Sequence, residues 1–312
     1  MKIRRRGTIS DDVIDRRAET RGSAGGRGMG GFPIPGGAKG GIGGIILMII
    51  LAIFGGSQVI GGGGGGGSSE GGLGDIFGKI GVAPATTTPR SNSVEDAPDP
   101  EADTVEWVKV VLDDIQDSWE VQFQQGGSTY ERAKLVLFED GVETGGCGFA
   151  PSQVGPFYCP ADKTAYLDLS FLEELETKYK AEGDFAPAYV IAHEIGHHVQ
   201  NITGVSTEVR NRQQRKPDDA NDLSVRLELQ ADCLAGVWAN STYEEGNLED
   251  GDFEEGLDAA AAVGDDRLQK QAGARVNPES WTHGSSEQRM KWFTRGYESG
   301  DPDSCDTFSG GI

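Results

Sequence analysis

Two histidines, His193 and His197, flank a glutamate, Glu194, in a stretch that reads as helix. Residues four apart on a helix share a face about one turn apart, so both imidazoles can reach one ion. The glutamate between them is placed to work on a water at that ion rather than to ligate it. This is the chemistry of a zinc hydrolase. Only two other histidines occur, His198 and His283. His198 lies about 100° round the helix from His197, so packing is its expected role.

A zinc centre of this kind needs a third protein ligand and a position left for water. Residues 226–239 read as a buried helix, apolar nearly all round, interrupted one turn apart by Glu228 and Asp232. Acids in such a helix cost free energy unless paired, protonated or metal-bound. A helix face salt-bridged through Arg226 is the plain alternative. Glu228 is the expected third ligand for one Zn²⁺ per chain, and Asp232 the expected acceptor for the free ring N–H of a ligating histidine. Ala231 and Ala235 beside them would let a second helix approach closely. His283 opens a C-terminal helix that Ser285 or Ser286 could cap. It is a candidate donor to the oxyanion of a tetrahedral intermediate. Arg289 is the alternative donor, and anchoring the helix is the structural role open to both.

The elements that position these groups can be read from period and punctuation. Ala188, Ile191, Ala192, Ile195, Val199 and Ile202 recur at helical spacing, Pro187 suits a first turn, and Gly204 follows the end. Further helices are expected near Val105–Ser118, Ser170–Lys180, Asp219–Ala239, Phe253–Gln271 and Ser285–Glu298. Strands are expected near Ala133–Phe138 and Ala165–Leu169, the latter an edge strand able to pair with an extended substrate. The fold class is α+β, mainly helical, with a small sheet.

The chain has 312 residues, 28 Lys and Arg against 50 Asp and Glu, a formal net charge of −22, and 48 glycines. That charge argues against nucleic-acid binding through phosphate neutralisation. Of the glycines, 27 lie in residues 1–82, and residues 1–39 hold nine basic side chains against four acidic ones. Residues 41–60 carry no charge and are long enough for a marginal membrane span. A cleaved signal peptide is the rival, but no small-residue cleavage site follows promptly.

The division expected is a basic, Gly-rich cytoplasmic tail at 1–40, one transmembrane signal anchor at 41–60, a flexible linker at 61–102 and a folded body at 103–312. This makes a single-pass protein of the cytoplasmic (inner) membrane, N-terminus inside and body extracytoplasmic. All four cysteines, Cys147, Cys159, Cys233 and Cys305, fall in that body. An even count there suggests two disulfides. Three pairings are open; Cys147–Cys159 closes a short loop and is the local choice, which leaves Cys233–Cys305. A cysteine zinc site is disfavoured because no Cys-x-x-Cys pair exists.

Several rare words occur in one order: Val154–Pro160 with Tyr166–Phe171, His193–Asn201, Glu228–Gly236, Ala260–Lys270 and Thr282–Arg289. In them, over roughly residues 103–307, the chain resembles the neutral zinc metallopeptidases, a family of membrane-linked bacterial proteins. The resemblance implies a zincin-like fold taking glutamate as third ligand, with His193, His197 and Glu228 on zinc and Glu194 as the catalytic base. The function expected is a membrane-anchored zinc endopeptidase acting on peptide or protein substrates. The alternative is a membrane-tethered scaffold that holds zinc without turnover.

Overall fold

The computed structural model describes residues 1–3, 9–19 and 99–312. The span expected at 41–60 and residues 61–98 of the linker expected at 61–102 lie outside the described residues. Among the described residues no helix is long and apolar enough to cross a membrane.

In chain order the elements are β1 (Val13–Asp15), α1 (Ala102–Gln125), β2 (Lys134–Phe138), β3 (Gly141–Glu143), β4 (Phe149–Pro151), β5 (Phe157–Cys159) and β6 (Thr164–Asp168). Then follow α2 (Ser170–Thr177), α3 (Phe185–Ile202), α4 (Val205–Arg215), α5 (Ala220–Glu244), α6 (Asp252–Ala262), α7 (Asp265–Gln271) and α8 (Ser286–Ser299). The expected character holds: mainly helical, with a small sheet.

The sheet runs β1-β2-β6-β5, with β1, β2 and β6 parallel and β5 antiparallel to β6; β3 and β4 form a separate hairpin. Two expectations are corrected here. The strand expected as an edge, Ala165–Leu169, appears as β6 and is paired on both sides, so β5 is the edge next to it. The tail expected to stand apart from the body instead supplies β1, whose three residues pair with Leu135, Val136 and Leu137 of β2. A three-residue strand has too little period to be recognised locally; its partner lies 122 positions away in register.

The core is built where α1, α3, α5 and α8 pack behind the sheet. Val108, Val111, Leu112, Ile115 and Trp119 face it from α1, and Phe185 of α3 stacks on Trp238 of α5 at 5.5 Å. Helices α5 and α8 meet at glycines. A Cβ on Gly236 would collide with the backbone of α8, and one on Gly296 with the backbone of α5. Gly196 of α3 plays the same part against α5, where a Cβ would lie 3.0 Å from the Ala231 carbonyl oxygen. These close approaches let side chains from α3, α5 and α8 converge on one point.

A single helix over Phe253–Gln271 is not formed. Gly264 is extended (ψ 139°) between α6 and α7. A Cβ there would strike Ser286, so the break admits the first residue of α8. Both disulfides have the expected pairing, Cys147–Cys159 as the local choice and Cys233–Cys305 as what that leaves. The second ties α5 to the C-terminal segment.

Candidate metal centre

Helix α3 carries His193, Glu194 and His197 on its inner side, and α5 crosses it to deliver Glu228. The Nε2 atoms of the two histidines point at the two oxygens of that carboxylate, His193 at 3.2 Å and His197 at 3.5 Å. One donor atom from each of the three residues lies within 4.8 Å of the others. Two imidazole nitrogens and a carboxylate suit zinc.

The opposite edge of each ring is held, which is what a metal site requires if the right nitrogen is to stay free. The Nδ1 of His193 lies 2.8 Å from Asp232 Oδ1, the partner expected from sequence. The Nδ1 of His197 lies 2.8 Å from Gln200 Oε1. Gln200 spends its amide hydrogens on the Leu227 carbonyl and Gln230, so its oxygen must face the histidine. Sequence reasoning missed Gln200, although its place three residues after His197 on the same helical face was a usable signal.

Asp232 is fully buried and satisfied. It accepts from the Tyr189 hydroxyl at 2.6 Å and from Nε and an Nη of Arg289, each at 2.8 Å. Burial would raise its pKa, but Arg289 and His193 outweigh that and hold it at about 2. The same carboxylate and Glu228 lift His193 to about 9 against the effect of burial. Glu228 is held well below the usual range by His197 and His193, again against burial. The Arg226 alternative does not arise, because that side chain bonds Asp222 and the Thr307 and Gly310 carbonyls. Arg289 has its donors on Asp232, Tyr189 and the Val263 carbonyl, so it anchors α8 to the centre.

Glu194 is buried beside the triad, and burial pushes its pKa up. It lines a cavity of about 520 Å³ together with His193, His197, Glu228 and His283. Its other walls include Phe157 and Tyr158 of β5, Phe171, Tyr179, Val190 and Leu268. His283 reaches this cavity from the loop before α8. Ser285 caps that helix through a reciprocal capping box with Gln288. Asp265, at the start of α7, accepts backbone N–H bonds from Thr282, His283 and Gly284 and faces the His283 Nδ1 at 3.1 Å. Burial opposes a charge on His283, but Asp265 and Glu228 raise its pKa. Asp265 too went unrecognised, since only the break at Gly264 brings it to His283.

His198 turns away from the triad, as expected. It donates from Nε2 to the Glu131 carbonyl at 2.6 Å, so its Nδ1 accepts the Tyr158 hydroxyl at 2.9 Å. Burial keeps its pKa low, consistent with a neutral ring. Asn201 donates to the Tyr158 oxygen and the Pro160 carbonyl, so α3 holds the edge strand β5 at fixed distance from the histidines.

Three comparisons bear on this site. The sequence model of a family described as "Putative neutral zinc metallopeptidase" matches residues 1–308. The Escherichia coli protein named "Uncharacterized protein YpfJ" is 52% identical over 213 residues, 68% of this chain and 74% of its own length. The Mycobacterium tuberculosis protein named "Uncharacterized protein Rv2575" is 53% identical over 191 residues, 58% of this chain and 64% of its own. No solved structure matches.

Proposed function

The chain belongs to the putative neutral zinc metallopeptidase family, and from that premise we propose that it is a zinc-dependent endopeptidase with Glu194 as its general base. The observation that carries this reading is the convergence of His193 Nε2 and His197 Nε2 on the Glu228 carboxylate, with Glu194 lining the same cavity. His193, His197 and Glu228 would hold the ion. Bound zinc supplies Lewis acidity toward a scissile carbonyl and makes water a nucleophile near neutral pH.

Glu194 accepts the proton of the attacking water and returns it to the leaving amine. Its raised pKa suits a group that must both take and give a proton. His283, with Nδ1 turned to Asp265, offers Nε2 as donor to the developing oxyanion. The edge strand β5 is the element available to pair with an extended peptide. Its inner residues Phe157 and Tyr158 form part of the cavity wall. The two disulfides favour an oxidising compartment, and the uncharged stretch 41–60 would hold the body at the outer face of the cytoplasmic membrane.

The test is zinc content and peptide cleavage by the purified protein, wild type against Glu194→Gln. Zinc binding retained with cleavage abolished supports the reading. A zinc-loaded wild type that cleaves none of a broad set of peptides and proteins points instead to a scaffold.

A further inference from the structure

The N-terminal segment and the metal-binding body are hydrogen-bonded as one unit, and this bears on how the chain meets a membrane. We propose that residues 9–19 and 99–312 of a single chain occupy the same side of the membrane, with the N-terminal segment docked along the outer edge of β2 and the adjoining face of α1.

The contact is extensive and specific. Beyond the register of β1 with β2, Leu135 N donates to the Asp12 carbonyl at 2.9 Å and Arg16 N to the Leu137 carbonyl at 2.8 Å. The Asp12 carboxylate is buried in a cradle supplied by the body: Arg132 Nε at 2.7 Å, Lys134 Nζ at 2.7 Å and Gln116 Nε2 at 3.2 Å. Burial would raise the pKa of Asp12, but Lys134 and Arg132 outweigh that and lower it. Ser10 N donates to Asp113 of α1 at 2.9 Å. The charge signs then reverse. Arg17, 6% exposed, is bound by Asp99 and Glu101 at 2.7 Å each, as well as by its neighbour Asp15. A cationic cradle for an acid and an acidic cradle for a cation give a fit that one chemistry alone would not specify.

Arg17 and Asp99 also fix a distance. Described residues end at 19 and resume at 99, and a 2.7 Å ion pair between Arg17 and Asp99 joins the two sides of that interval. A hydrocarbon layer is about 30 Å thick. Ends held together this way cannot lie on opposite faces of it, whatever the intervening residues do. The N-inside, body-outside arrangement implied by the basic head is therefore incompatible with the docked segment. Undocking would also uncover β2, whose Leu135, Leu137 and Phe138 are buried, as a bare edge.

The experiment uses the full chain in the membrane fraction of cells producing it. The four native cysteines are paired, so Asp11→Cys and Glu298→Cys, both at exposed positions, each introduce one free thiol. A membrane-impermeant maleimide is applied before and after permeabilisation. The expected result is the same pattern at both sites; labelling of one before and of the other only after overturns the proposal. Loss of residues 9–19 from the membrane-bound protein by mass spectrometry also overturns it. In a second arm, Ile14→Cys with Val136→Cys, which face each other in register, is mildly oxidised. A bond within one monomer is expected. A disulfide-linked dimer would place the strand in a second copy, and two unbonded thiols would remove the pairing; either result overturns the proposal. Zinc content and cleavage are read separately, so failure here leaves the peptidase reading untouched.

Discussion

Asp232 Oδ1 lies 2.8 Å from His193 Nδ1, on the side of the imidazole away from Glu228. This one contact sets which ring nitrogen would face a bound ion and ties the centre to α8, because the same carboxylate binds Arg289. Asp232→Asn keeps the shape but removes the negative charge that Arg289 and His193 face. Zinc affinity is expected to fall about 10–100-fold. Asp232→Ala orphans the buried Arg289 and is expected to cost about 3–5 kcal/mol of stability. Chelator competition measures the first and denaturant unfolding the second.

Glu194 is not one of the three residues proposed to hold the ion. Glu194→Gln is expected to keep zinc stoichiometry and thermal stability near wild type while cleavage drops by at least about 10²-fold. Parallel metal analysis and peptide turnover decide it; cleavage at wild-type rate would remove Glu194 from the base position.

The pH dependence of metal binding follows from His193, raised to about 9 in the metal-free protein by Asp232 and Glu228 against burial. Zinc needs the neutral ring, so below that value binding must expel a proton. Apparent affinity is expected to rise about tenfold per pH unit toward about 9 and then level off. Titrations at several pH values read the slope directly. A flat profile through neutrality would contradict the proton count.

Gly196 faces the Ala231 carbonyl with room for no side chain beyond a strained methyl. Gly196→Val is expected to force α3 and α5 apart, costing about 1–3 kcal/mol and most of the zinc affinity. Unfolding curves with and without chelator separate the two: the variant should be less stable in both and gain less from zinc.

His283 and Asp265 should act as a pair. Asp265→Asn removes a partner that raises the His283 pKa, so the high-pH limb of the activity profile is expected to move to lower pH. His283→Ala is expected to lower kcat more than it raises KM, since its bond forms to the transition state. An effect of either variant confined to thermal stability would leave His283 as an anchor of the loop alone.

Much of the centre was legible because its logic is helical. The four-residue interval of His193 and His197 gives a shared face without reference to the rest of the chain. Glu228 and Asp232 stood out as acids in an apolar helix, where only pairing or a metal makes them tolerable. The Ser285 cap and the short Cys147–Cys159 loop are likewise local. Gln200 was legible in principle on the same face as His197. Asp265 was not, because the helix expected over Phe253–Gln271 ran through Gly264, where the close approach of Ser286 breaks it.

What the amino-acid order settles alone is residue type and helical face: two imidazoles, a base between them, and two acids one turn apart on another helix. Which carboxylate oxygen meets which nitrogen is settled by close packing at Gly196, Gly236 and Gly296, contacts between residues distant in sequence. The placement of the N-terminal strand is of the same kind. Charge asymmetry is a local property and pointed to a separate tail, whereas strand pairing and buried ion pairs are long-range and bring that tail onto the body. Short strands carry almost no period of their own, so only their partners give them a position.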